Sequence, residues 1–134
     1  MKARELLKGL QYSVICGDED VEIKEIYNDS RKVGEQGLFF CIVGANFDGH
    51  AYVKNVIDKG AVCLVVHKDV EPVPGVLIVK VDSTRYAMGI VSSNFYGNPS
   101  SKLTVIGITG TKGKTTTTYM IREMLMSAGH NNTV

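Results

Sequence analysis

The sequence lacks the features that mark several classes of protein. Its three cysteines, Cys16, Cys41 and Cys63, are odd in number and widely spaced, so they predict neither a disulfide framework nor a metal site. Cys41 and Cys63 lie inside apolar runs, and we expect reduced, buried thiols of the kind found in cytoplasmic proteins. No hydrophobic run approaches the length of a membrane span, and the N-terminal MKARELLKGL has no signal-peptide core.

An excess of charge of one sign is also missing. The chain has 15 Lys and Arg against 14 Asp and Glu, and the two signs are interspersed. This distribution gives no footprint for nucleic acid or for a membrane surface, and no segment indicates an obligate protein partner. At 134 residues with 44% hydrophobic content, the chain fits one globular domain, or one domain and a fragment of another.

The apolar pattern that is present alternates between two periods. Continuous apolar runs bounded by glycine or proline predict buried strands, and spacings of three and four predict helices. We expect strands over 21–27, 38–44, 61–66, 76–81 and 103–109. We expect helices over 3–10, 51–60, 82–96 and 115–129. Strands that alternate with helices predict the α/β class with an at least partly parallel sheet.

The end of the sequence predicts an unfinished second domain. GNPSS, residues 97–101, is a candidate linker, and after it come a strand, a glycine-rich loop and a helix, which form half of a βαβ unit. We therefore expect residues 1–101 to form a small α/β domain. Residues 102–134 are expected to be the truncated start of a P-loop-type domain, which packs poorly because its partner strands are missing.

The segment TGTKGKTTTT, residues 109–118, has the composition of a phosphate-binding loop. Gly110 and Gly113 allow backbone N–H groups to converge on phosphate oxygens, and the helix that follows adds partial positive charge at its N-terminus. Lys114 is placed to reach the β- and γ-phosphates, and Thr115 to offer a hydroxyl to Mg²⁺. The alternative is a glycine-rich turn before a threonine-rich helix.

The strict pattern G-x-x-x-x-G-K-[ST] is not met, because Ile108 stands where the first glycine is required. The loop resembles the form T-G-[TS]-x-G-K-[TS] of the Mur ligases and folylpolyglutamate synthetases, with Lys112 where those families often have Asn. The resemblance implies ATP and Mg²⁺ as cofactors, Lys114 as a catalytic residue and Thr115 as a metal ligand. It implies ATP contacts at Gly110, Thr111, Lys112, Gly113, Lys114, Thr115 and Thr116.

Two further segments resemble the Mur ligases and extend the likeness over most of the chain. Residues 28–44 are similar to the pattern D-[ST]-R-x-V-x-x-G-x-L-F-x-x-x-x-G. Residues 46–66 are similar to the pattern D-G-H-x-[FY]-x-x-x-A-x-x-x-G-A, with Ile57 in place of a usually small residue. The Y-G-x-P turn and the TTTT run within 93–121 resemble the members that add the third amino acid of the peptidoglycan precursor.

In that family the N-terminal domain holds the UDP end of the substrate. The resemblance implies UDP contacts at Asn28, Ser30, Ala45, Asn46 and Phe47. From the residues alone, the Ser30 hydroxyl suits a pyrophosphate oxygen, and Phe47 either stacks on uracil or packs under the turn. Arg31 either pairs with Asp29 or neutralises pyrophosphate. We expect His50 and His67 to be surface or cap residues.

The resemblance implies an ATP-dependent ligase of the bacterial cytoplasm, which acts in cell-wall synthesis. Its substrates are UDP-MurNAc-L-Ala-D-Glu and a diamino acid, meso-diaminopimelate or L-lysine, which are joined through an acyl phosphate. This chain carries the phosphate loop alone of the catalytic elements, so by itself we expect it to be inactive. Two alternatives stay open: the ligase that adds D-Ala-D-Ala, and a non-catalytic module that binds UDP-sugars or nucleotides.

Overall fold

The structure, a computed structural model, describes residues 1–45 and 47–130. It separates into two compact units, Met1–Pro99 and a second unit that starts at Ser100. The first unit is a mixed α/β fold around a five-stranded sheet, which confirms the predicted class. Within the described ranges, no helix has the length and apolar content needed to cross a membrane.

The sheet has the strand order β1-β5-β4-β3-β2. Strands β2 to β5 are parallel to one another, and β1 is antiparallel to β5. The strands are β1 (Ser13–Cys16), β2 (Glu25–Tyr27), β3 (Gly37–Phe40), β4 (Ala61–Val66) and β5 (Leu77–Lys80). The helices are α1 (Ala3–Leu6), α2 (Val53–Asp58), α3 (Thr84–Phe95) and α4 (Lys114–Ser127), with 3-10 turns at Gly49–Tyr52 and Pro99–Lys102.

The central strands β3 and β4 read as unbroken apolar runs because helices cover both faces of the sheet. Successive side chains of a strand point to opposite faces. Leu38 and Phe40 therefore pack in the cluster that contains residues of α1 and α3, whereas Phe39 packs in the cluster that contains Val56 of α2. A parallel sheet covered in this way needs apolar residues at every position.

The two cysteines that lie inside apolar runs are buried, as the sequence predicts. Cys41 and Cys63 are buried and Cys16 is half-buried, and all three are free thiols. Burial raises the pKa of Cys41 to about 12 and raises the pKa of Cys63 as well. Both buried thiols are therefore protonated at neutral pH, which confirms the expectation that they are packing residues.

Several elements of the first unit differ from their predicted bounds. Strand β1 was not predicted, because four residues with exposed or half-buried side chains at a sheet edge leave little pattern. Helix α1 ends after one turn, ahead of Gly9, whose φ of 83° is left-handed. The helix expected over 51–60 begins as a 3-10 turn capped by the Asp48 side chain.

The strand expected over 103–109 is not formed, so that prediction is wrong. This segment belongs to no sheet in the part of the chain that the structure describes, although four of its seven residues are apolar. A strand needs a neighbour to pair its backbone N–H and C=O groups, and this segment pairs with none of the described strands. Helix α4 does form, and none of its residues is buried.

Gly17, the residue after β1, lies very close to the backbone of β5, and a substitution there tests this close approach. A Cβ there would lie 2.5 Å from the Cα of Leu77, and Gly17 has a φ of 93°. Gly9 is a matched control, with a φ of 83° and nothing within 4 Å of its Cβ position. We expect Gly9→Ala to cost about 1–2 kcal/mol of unfolding free energy from left-handed strain, and Gly17→Ala to cost about 2 kcal/mol more from the clash with backbone. Urea denaturation measures both, and equal losses would contradict the close approach.

Limited proteolysis compares the two units. We expect trypsin to cut first after Lys102, Lys112 or Lys114, because no residue between 100 and 130 is buried. The product should contain the intact first unit, identified by mass spectrometry. First cuts inside 38–66, with 103–130 still intact, would contradict this prediction.

Candidate functional site

The residues expected to bind UDP follow two neighbouring parallel strands. Asn28 and Ser30 come directly after β2, whereas Ala45 and Phe47 follow β3. The carboxyl ends of parallel strands lie at one edge of a sheet, where α/β proteins bind ligands. The structure thus places both loops at the same sheet edge. Asn46, the fifth expected contact, lies outside the described residues.

The loop after β2 is organised by an ion pair. Both Nε and Nη2 of Arg31 donate to the Asp29 carboxylate, at 2.9 and 2.7 Å, and the backbone N–H of Arg31 donates to it as well. These hydrogen bonds hold the pKa of Asp29 well below its ordinary value. Of the two roles considered for Arg31, the structure shows the pairing with Asp29. The pair is exposed to solvent and therefore adds little to stability.

A lysine that the sequence did not point to lies against the same loop. Lys59, the residue after α2, donates from Nζ to the backbone carbonyl of Ser30 over 2.8 Å. This contact joins positions 29 residues apart, so no local pattern announces it. It anchors the backbone of Ser30 and brings a positive charge to the loop.

The loop after β3 is a tight hairpin. Val43 and Asp48 form an antiparallel bridge, and the N–H of Gly44 donates to the carbonyl of Phe47 over 2.8 Å. Arg85, near the start of α3, donates from Nη2 to the carbonyl of Val43 over 3.0 Å. These hydrogen bonds fix both ends of the hairpin. The Phe47 side chain is left about half exposed, at 48%.

Asp48 connects this hairpin to the end of β4. Its carboxylate accepts from the backbone N–H of His50 over 2.9 Å and from the imidazole Nδ1 over 2.7 Å, and it pairs with Lys68. Lys68 and the two His50 donors lower the pKa of Asp48. The Nε2 of His50 accepts from the N–H of His67 over 3.3 Å, so the hydrogen of this ring is on Nδ1.

The two histidines are internal to this network, so their expected role as plain surface or cap residues is wrong. The His50 side chain is only 8% exposed, and its ring meets that of His67 edge to face at 4.6 Å between centroids. Burial is the main cause that lowers the pKa of His67, and the positive charge of Lys68 acts in the same direction. The D-G-H segment, residues 48–50, therefore connects the loop after β3 to the residues that follow β4, at the carboxyl edge of the sheet.

The glycine loop of the second unit leads directly into α4. Gly110 has a φ of 153°, and Gly113, the N-cap of the helix, has a φ of 78°; both values lie in the region that favours glycine. No side chain caps this helix N-terminus. Its first N–H groups are therefore open to an anion, and Lys114 folds back over the loop, with Nζ 2.5 Å from the carbonyl of Gly110.

The four consecutive threonines divide into two pairs. The hydroxyls of Thr117 and Thr118 donate back to the carbonyls of Gly113 and Lys114, both over 2.9 Å. Thr115 and Thr116 are exposed and make no such bond within residues 100–130. Open helix N–H groups, one ammonium and two available hydroxyls form a donor set that fits a triphosphate with its Mg²⁺.

Comparison with known proteins identifies relatives of the whole chain. The model of the "Mur ligase family, catalytic domain" matches residues 22–96. The UDP-N-acetylmuramoyl-L-alanyl-D-glutamate--2,6-diaminopimelate ligase 1 of Clostridium acetobutylicum is 48% identical over 97% of this chain. The corresponding ligase of Clostridium perfringens is 45% identical over 96% of it. The chain spans 27% of the length of each of these relatives.

Solved structures of MurF ligases also match most of this chain. MurF from Acinetobacter baumannii matches 94% of this chain with a TM-score of 0.69 and 28% identity, over 27% of its own length. MurF ligase from Thermotoga maritima, solved in complex with ADP, matches 81% of this chain with a TM-score of 0.60 and 27% identity, over 24% of its length. The family model matches more than half of the chain, and this match shows that the chain belongs to the Mur ligase family.

Proposed function

We propose that this chain is the substrate-binding and phosphate-loop portion of an ATP-dependent ligase that joins a diamino acid to UDP-MurNAc-L-Ala-D-Glu. The observation that carries this proposal is the 48% identity, over 97% of this chain, to a ligase of that name. The names of the relatives favour 2,6-diaminopimelate over L-lysine as the added residue. The reaction passes through an acyl phosphate on the dipeptide carboxylate, and it takes place in the cytoplasm.

Residues 102–134 begin the ATP-binding domain in this proposal. The backbone N–H groups from Gly110 to Thr116 and the Lys114 ammonium hold the β- and γ-phosphates, and Thr115 offers its hydroxyl to Mg²⁺. ATP with Mg²⁺, when bound, supplies the phosphoryl group that activates the carboxylate. The chain's own contribution is to orient the triphosphate and to place positive charge beside it. The ADP in a structural relative supports this assignment.

Residues 1–101 form the domain that holds the UDP end. Asn28 and Ser30 contact the pyrophosphate and uridine from one loop, and Ala45, Asn46 and Phe47 contact them from the other. The location of both loops at the carboxyl edge of a parallel sheet supports this role. Lys59 adds a positive charge that favours an anion beside Ser30.

The D-Ala-D-Ala-adding ligase is the second candidate, because the solved structural relatives include enzymes of that type. The higher identity to the diaminopimelate ligases favours the first candidate. Incubation of the full-length ligase with ATP and UDP-MurNAc-L-Ala-D-Glu separates the two. Phosphate release that depends on a diamino acid supports the proposal, whereas release that requires the UDP-tripeptide and D-Ala-D-Ala overturns it.

Lys114 should be essential for the reaction of the full-length ligase. We expect Lys114→Ala to lower kcat/KM for ATP by about 10²–10³-fold, because a charge that stabilises the transferring phosphoryl group is lost. Lys102→Ala is the matched control, since Lys102 is an exposed lysine ahead of the loop, and its kinetics should be unchanged. A Lys114→Ala enzyme with near-normal rates would remove Lys114 from the mechanism.

The 134-residue chain should bind UDP with about millimolar affinity, which a few hydrogen bonds and one stacked ring provide after the cost of association. In an NMR titration with UDP, shifts should concentrate at Ser30 and around residues 45–47. Ser30→Ala should weaken binding, and Ser92→Ala, a half-buried serine on α3, should leave it unchanged. Shifts confined to 110–116 would contradict the assignment of the first unit to UDP.

A further inference from the structure

The Phe47 ring occupies the space that a side chain at position 44 would need. A Cβ built on Gly44 would lie 2.8 Å from Cδ1 and 2.9 Å from Cε1 of Phe47, distances that real Cβ atoms do not reach. Gly44 is not among the described residues with positive φ, so its backbone would accept alanine. The position of the Phe47 ring therefore requires glycine at position 44, whereas the backbone φ at that position does not.

The hairpin around this contact holds the ring in place. The Gly44–Phe47 hydrogen bond and the Val43–Asp48 bridge close it, and Arg85 fastens Val43 from α3. Asp48, the residue after Phe47, is held in turn by His50 and Lys68. The ring thus sits against Gly44 on a short loop with both ends fixed, and about half of the residue remains open to solvent.

Single exposed aromatic side chains are ordinary on protein surfaces and need no explanation. This one differs because Gly44 has no side chain and so leaves room for the ring, and because hydrogen bonds hold Val43, Gly44 and Asp48 on either side of it. A ring held in advance loses little entropy when a planar group stacks on it. Stacking of a nucleobase on an aromatic side chain is worth about tenfold or more in affinity.

We propose that Gly44 is a positioning residue for the uridine end of the substrate, which seats Phe47 as the stacking surface for the base. This inference rests on the proposed function, since it takes the base of a uridine nucleotide as the planar group. Gly44 itself makes no contact with the ligand. Its effect on affinity passes through the ring, and this distinguishes it from the contact residues Ser30 and Phe47.

The test is a double-mutant cycle on UDP binding to the 134-residue chain, followed by NMR. Phe47→Ala should weaken UDP by about tenfold, because the stacked ring is lost. Gly44→Ala should weaken UDP by about threefold or more, because the new methyl group displaces the ring. The double variant should bind like Phe47→Ala alone, since without the ring the methyl group at position 44 keeps an ordinary 3.7 Å contact with the Phe47 carbonyl oxygen and displaces no ring. Inorganic pyrophosphate, which has no base, should bind equally to all four proteins.

Gly89→Ala is the matched control, because Gly89 lies on α3 with nothing within 4 Å of its Cβ position, and UDP affinity should not change. The ring itself gives an independent readout. Nuclear Overhauser contacts between the Phe47 ring and the Gly44 Hα atoms should be present in the wild-type chain, and the ring resonances should shift in Gly44→Ala.

Four outcomes would contradict the inference or the function on which it rests. Wild-type UDP affinity in Gly44→Ala overturns the inference, as does an added loss from Gly44→Ala in the Phe47→Ala background. Unmoved Phe47 ring resonances in Gly44→Ala also overturn it, whatever happens to UDP. A Phe47→Ala chain that binds UDP like the wild type overturns the proposed base contact, and therefore the function on which the inference rests.

Discussion

Backbone hydrogen bonding between parallel strands is the constraint on which the rest of this structure depends. A strand forms only where a neighbour takes up its N–H and C=O groups, and β3 and β4 have neighbours on both sides. The segment 103–109 also contains apolar residues, but it pairs with none of the described strands and is irregular. Apolar sequence alone therefore does not make a strand here.

The same constraint places the candidate site for UDP. Four parallel strands must end at one edge, so the loops after β2 and β3 meet there whatever their own sequences prefer. Lys59 and Arg85 then hold those loops by donating hydrogen bonds to backbone carbonyls, Lys59 to that of Ser30 and Arg85 to that of Val43. Hydrogen bonds to backbone carbonyls hold the main chain of each loop, and they do not use the loop side chains that would contact a ligand.

The two candidate sites use different physics for related ligands. The loop before α4 relies on open N–H groups, positive-φ glycines and Lys114, which are all local in sequence. The edge of the sheet relies on distant partners such as the Asp48–His50–Lys68 network, which joins residues 20 positions apart. A local site forms from a short segment, whereas a distributed one requires the folded first unit.

The sequence by itself determined the α/β class, the buried runs at β3, β4 and β5, and the glycine-rich turn before α4, because each depends on residues close together in the chain. It also determined that Cys41 and Cys63 are buried. The tertiary structure alone decided the edge strand β1, the edge-to-face contact of His50 with His67 and the contacts of Lys59 and Arg85. Gly44 belongs to the same group, because only the folded hairpin shows that its missing side chain makes room for Phe47. Each of these features joins residues that no sequence periodicity connects. They therefore stabilise the protein only after folding has brought those residues together.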